Sequence, residues 1–155
     1  MKIFVVGMSH CGSVYASCLS ELNHHVVGYD EKKDVIKKIK NAIPPLYEPG
    51  LKNLIKKNIK NKRLTFTSNL KKINSSNIIW IAMDTPVLEN DEANTEKSLT
   101  IIKKILKKAN SKKYIIISSQ LPVGSIKELE LFSKNKLRKS FNFFYCPENL
   151  RVGNA

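Results

Sequence analysis

Lys2-Ile3-Phe4-Val5-Val6-Gly7-Met8-Ser9-His10-Cys11-Gly12 opens the chain. Residues 3–6 form a short apolar run that stops at Gly7. Val14, Cys18 and Leu22 then recur at helical spacing. Asn23, a residue tolerant of left-handed backbone, marks the end of that helix. Residues 26–29 make a second apolar run, which stops at Asp30. The order is strand, glycine-bearing turn, helix, strand, acid.

Each residue type in that order has a physical use. A glycine at position 7 permits a tight turn out of the strand. Gly12 permits close packing of helix on strand. The helix N-terminus offers unpaired N–H groups and a partial positive charge to phosphates. The dinucleotide fingerprint G-x-G-x-x-G has Ser9 in place of its middle glycine here. That side chain adds bulk, and its hydroxyl can donate to a phosphate oxygen. Asp30 stands 23 residues after Gly7. A carboxylate there accepts from ribose hydroxyls and repels a 2′-phosphate, so NAD is favoured over NADP. His10 and Cys11 are adjacent on the turn and cannot form a catalytic triad with Ser9. They are expected to line the cofactor channel. Cys18 is expected on the apolar face, as a core filler.

Apolar runs alternate with helical patterns through the rest of the chain. Val35, Ile36 and Ile39 make a short helix, and Pro44-Pro45 break it. Glu48-Pro49 is expected to open the next helix, striped by Leu51, Leu54, Ile55 and Ile59. Strands are expected at residues 64–67, 77–83, 114–118 and 141–146. A polar loop covers 84–94. Leu99, Ile102, Ile105, Leu106 and Ala109 stripe a helix, and another lies near 125–131. Such alternation needs crossover connections and gives a parallel sheet. The expected fold is α/β: a Rossmann-type, doubly wound parallel sheet of about six strands in three αβα layers. Residues 1–155 form one domain.

Composition narrows the function classes. The net charge is +14, yet 24 of the 27 basic residues are Lys. They are spread over every expected helix but the first. A base-reading surface favours Arg, whose planar fork pairs bidentately. The lysines therefore read as solvated helix faces, not as a nucleic-acid interface. Three cysteines, an odd count, make no disulfide framework. No Cys/His cluster has zinc spacing. No apolar stretch approaches the ~20 residues of a membrane span. A cytoplasmic location is expected.

Further motifs stand at the strand ends. Asn23-His24-His25-Val26 precedes the second strand. Pro45-Leu46-Tyr47-Glu48-Pro49-Gly50-Leu51 has the form P-x-x-E-P-G-L. Leu64-Thr65-Phe66-Thr67 forms the third strand. Thr85-Pro86 follows the fourth strand, Pro122-Val123-Gly124 the fifth, and Pro147-Glu148-Asn149-Leu150-Arg151 the sixth. From Met1 to Ala155 the chain resembles the N-terminal NAD-binding domain of the UDP-glucose/GDP-mannose dehydrogenase family. The resemblance implies oxidation of a nucleotide sugar, UDP- or GDP-linked, from C6 alcohol to carboxylate with two NAD. It implies that Thr85 and Gln120 join Gly7, Ser9, Cys11, Gly12 and Asp30 at the cofactor. It implies that Glu148 activates water or accepts a proton, and that Glu148, Leu150 and Arg151 contact substrate. A dimer is expected for the full-length family protein.

Four positions depart from the family pattern. Ser9 replaces a glycine, Asp84 replaces a glycine before Thr85, Gln120 replaces a threonine, and Val152 replaces a second glutamate. In the family the catalytic cysteine and its Lys, Asn and Asp partners lie beyond the match to Ala155. None of Cys11, Cys18 and Cys146 matches it. The chain by itself is therefore expected not to complete the oxidation. The alternative expectation is a stand-alone, non-catalytic NAD-binding or regulatory module.

Overall fold

The computed structural model describes residues 1–89 and 93–155; residues 90–92 of the expected polar loop lie outside the described residues. The elements are β1 (Lys2–Val6), α1 (His10–Glu21), β2 (His25–Tyr29), α2 (Lys33–Lys40), α3 (Leu51–Lys60) and β3 (Leu64–Thr67). A 3-10 segment at Leu70–Ser75 leads to β4 (Ile78–Ile81). Then come α4 (Thr95–Lys108), β5 (Lys113–Ile117), α5 (Ser125–Leu131), a π turn at Phe132–Lys136 and β6 (Phe141–Tyr145). The six strands lie in the order β3-β2-β1-β4-β5-β6. Every pairing is parallel. The chain builds leftward from β1 to β3, then returns to β4 on the other side of β1. Ligands of open α/β sheets bind at such a switch point, beyond the carboxyl ends of the strands.

The period-2 alternation of β1 divides the core. Ile3 and Val5 pack with Val26, Leu64, Val14, Ala16, Ile39 and Ile55 on one face. Phe4 and Val6 pack with Ile79, Ile81, Ile115, Ile117, Ile102 and Leu106 on the other. Ile79, Ile81, Ile115 and Ile117 are fully buried, each contributing about 1.5–3 kcal/mol. This burial fixes the strand register and therefore the position of every strand end.

Three expectations need correction. The stripe on α1 is not Val14, Cys18 and Leu22. Cys18 is exposed, and so is Leu22. The buried face is Cys11, Gly12, Ser13, Val14, Ala16, Ser17 and Ser20. Small residues let α1 lie close to the sheet, and its serines satisfy themselves locally. Ser17 Oγ donates to the Ser13 carbonyl at 2.7 Å, and Ser20 Oγ to the Ser17 carbonyl at 2.7 Å. Second, Glu48-Pro49 do not open a helix. α3 begins at Leu51 behind Gly50, whose φ of 79° is left-handed. Third, β4 covers only Ile78–Ile81 of the expected 77–83. The 3-10 and π segments had no signal in the apolar periodicity. Asn23 does adopt the left-handed conformation, with φ 66°.

Candidate NAD site

β1 ends at Gly7, whose φ is 91°. Its N–H donates to the Tyr29 carbonyl at 2.8 Å, tying the ends of β1 and β2. A Cβ on Gly7 would stand 2.5 Å from Met83 Cα. A Cβ on Gly12 would stand 1.8 Å from the Gly7 carbonyl oxygen. Both outer glycines of the fingerprint are thus required by the approach of backbone to backbone. They hold the first turn of α1 against the end of β1, with its unpaired amides at the mouth of the switch point.

Ser9 is the N-cap of α1, but its side chain makes no capping bond. Its hydroxyl instead donates to Asp84 Oδ1 at 2.8 Å. The hydroxyl considered above as a phosphate donor is therefore engaged elsewhere. Two departures from the family pattern, Ser9 and Asp84, are partners of one another.

Asp30 braces the loop from the other side. Its Oδ2 accepts from the Met8 N–H at 3.0 Å, and its Oδ1 from the Lys32 N–H at 2.9 Å. Each oxygen keeps acceptor capacity for a ribose hydroxyl. A cleft of about 310 Å³ opens between Gly7, Ser9, Asp30 and Asp84, with Leu70, Ile101 and Ile105 as an apolar wall. An apolar wall, a carboxylate and a helix N-terminus suit adenine, ribose and diphosphate in turn. The absence of a side chain at Gly12 leaves the backbone cradle intact. The residues fit NAD.

The ends of β4, β5 and β6 supply the second half. Ser119 Oγ donates to the Met83 carbonyl at 2.6 Å, and Thr85 Oγ1 to the Gln120 carbonyl at 3.0 Å. Thr85 and Gln120 thus adjoin, through a side chain and a backbone group. Glu148 is half-buried, and its Oε1 accepts from the Leu150 N–H at 2.5 Å. Leu150 packs onto the α1 side of the core, and Arg151 is exposed. Cys11 is buried and absent from the wall of that cleft. Burial pushes its thiol up to about 12, the Glu148 carboxylate adds to the shift, and a hydrogen bond with Tyr15 opposes it. Cys11 is therefore a protonated, inert thiol near Glu148. Among the described residues, no group of three His, Cys, Asp or Glu side chains could hold a metal ion. No described helix is long and apolar enough to cross a membrane.

Sequence reasoning placed Glu48 at a helix start and missed its contacts. It is 6% exposed and lies 2.9 Å from His10 Nε2. It also accepts from the Gly153 N–H and the Ala155 N–H, each at 2.8 Å. Its place in P-x-x-E-P-G-L was the only signal. Trp80 Nε1 donates to Ser118 Oγ at 2.9 Å, and its ring lies 4.7 Å from that of Tyr15. That pair joins α1 to β4 beneath the site.

A parallel sheet in this order, with this turn and a carboxylate at the end of β2, defines a dinucleotide-binding domain. The comparisons make that class specific. The model of the UDP-glucose/GDP-mannose dehydrogenase family, NAD binding domain, matches residues 1–155. UDP-glucose 6-dehydrogenase TuaD of Bacillus subtilis is 37% identical over 99% of this chain and 34% of its own length. A ternary complex of GDP-mannose dehydrogenase from Pseudomonas aeruginosa superposes with TM-score 0.89 at 26% identity. It covers 99% of this chain and 37% of that one. A UDP-D-ManNAc dehydrogenase from Pyrococcus horikoshii shares the fold, with TM-score 0.90 at 24% identity over 99% of this chain and 37% of its own. The chain belongs to the UDP-glucose/GDP-mannose dehydrogenase family, as its NAD-binding domain. It spans about a third of the length of the curated relatives it matches.

Proposed function

We propose that this domain binds NAD for a nucleotide-sugar 6-dehydrogenase, which oxidises the C6 alcohol of a UDP- or GDP-linked sugar to a carboxylate with two NAD. The observation that carries this reading is the common edge of the sheet. The Gly7–Gly12 turn, Asp30, Thr85, Gln120 and Glu148 all stand at carboxyl ends of parallel strands. NAD supplies the hydride acceptor when bound. Gly7, Ser9, Gly12 and Asp30 hold its adenosine and diphosphate. Thr85 and Gln120 border its nicotinamide half, with Cys11 as an inert wall. Glu148 accepts a proton or activates water, held in place by the Leu150 amide. Leu150 and Arg151 contact the sugar nucleotide. The full-length protein acts as a cytoplasmic dimer.

The test is a calorimetric titration of the chain with NAD, followed by a nucleotide-sugar titration of the NAD-loaded chain. Saturable NAD binding is expected, with weaker UDP- or GDP-sugar binding that Glu148→Gln reduces. Absence of NAD binding at millimolar concentration overturns the reading.

One observation favours a second reading, a non-catalytic NAD module. Burial raises the thiol of Cys11, which leaves it a poor nucleophile. NAD binding without any effect of Glu148→Gln on sugar-nucleotide binding is the outcome that supports it.

A further inference from the structure

Two carboxylates, not one, flank the phosphate-binding turn. Asp30 follows β2 and Asp84 follows β4, on opposite sides of the central β1. Consecutive residues of the turn hold them. The Met8 N–H donates to Asp30 Oδ2 at 3.0 Å, and the Ser9 hydroxyl to Asp84 Oδ1 at 2.8 Å. Both acids border the same cleft.

A dinucleotide has matching chemistry. Two riboses flank its diphosphate, and each presents neighbouring hydroxyl donors. It lies across the crevice with one mononucleotide over each half of the sheet. Asp30 is placed for the adenosine half. Asp84 begins the other half, over β4 to β6. A carboxylate beside a diphosphate repels it unless hydroxyl or N–H donors engage the carboxylate. Ser9 supplies one donor and orients the group. An ionised carboxylate has about four acceptor sites, so the others remain for ligand hydroxyls.

We propose that Asp84, held by Ser9, is a second ribose-recognising carboxylate that accepts from the hydroxyls of the nicotinamide ribose. Ser9 and Asp84 then act as one specificity element, selecting ligands with a second ribose over ADP. This rests on the NAD reading of the site.

Calorimetric titrations of the wild-type chain, Asp84→Ala and Ser9→Ala with NAD, ADP-ribose and ADP test it. ADP-ribose carries the second ribose without nicotinamide, and ADP lacks both. Asp84→Ala is expected to weaken NAD and ADP-ribose by about tenfold, the scale of a charged hydrogen bond. ADP affinity does not fall, because the variant removes a negative charge beside the diphosphate, and retained ADP binding also reports an intact fold. Ser9→Ala, which also removes a side chain beside the diphosphate, weakens all three ligands, and NAD and ADP-ribose more than ADP. Equal losses for all three ligands, or unchanged or tighter NAD binding in Asp84→Ala, overturn the proposal. Wild-type chain that binds neither NAD nor ADP instead overturns the NAD reading beneath it.

Discussion

His10 Nε2 lies 2.9 Å from Glu48 Oε2, so the first residue of α1 is joined to the turn before α3. The same carboxylate holds the Gly153 and Ala155 amides. The Gly7–Gly12 turn and the segment after Glu148 are therefore tied to a single side chain. The Ala155 amide, then His10, hold the Glu48 carboxyl below its usual range against the opposing effect of burial.

This sets an acid dependence. A carboxylate depressed on folding adds stability above its unfolded pKa, about 4.3. That stability is lost as pH falls through the lower folded value. Urea unfolding is expected to show wild type losing stability below about pH 4.3, and Glu48→Gln showing a shallower loss. In hydrogen exchange, Glu48→Gln speeds exchange at the Gly153 and Ala155 amides. Unchanged exchange there contradicts the tether.

Gly12 and Gly50 separate two kinds of glycine requirement. A methyl at Gly12 collides with the Gly7 carbonyl, whereas one at Gly50 meets nothing within 4 Å. Gly12→Ala is expected to cost about 1–3 kcal/mol and to abolish NAD binding by displacing the turn. Gly50→Ala costs about 1–2 kcal/mol through its left-handed φ and leaves NAD affinity intact. Thermal melts combined with NAD titrations distinguish them.

Cys11 is expected to resist alkylation. With its pKa near 12, roughly one thiol in ten thousand is ionised at about pH 8. Iodoacetamide mapped by mass spectrometry is expected to modify Cys11 only after unfolding in urea. Labelling of folded protein at the rate of a free thiol contradicts the buried placement.

The strand ends were legible in the sequence because apolar runs and their stops are local. Gly7 and Asp30 lie at those stops and Gly12 lies in the first turn of α1, so their placement follows from adjacency along the chain. The Ser9–Asp84 bond joins residues 75 apart, so two substitutions that look like separate losses are one contact. Glu48 pairs with partners 38, 105 and 107 residues away, and no periodicity encodes that. Cys18 was misplaced for a different reason. Large apolar residues dominate a helical stripe, yet α1 buries its small ones.

The central claim is that this domain takes NAD with Asp30 at the adenosine ribose. Asp30 binds both the Met8 and the Lys32 amide, so its removal loosens the turn as well as the ribose contact. The most direct measurement is calorimetry of wild type and Asp30→Ala with NAD and NADP. Wild type is expected to bind NAD saturably and NADP at least about tenfold more weakly, with Asp30→Ala losing most NAD affinity and most of the discrimination. No NAD binding at millimolar concentration, or equal affinity for the two cofactors in wild type, contradicts the account.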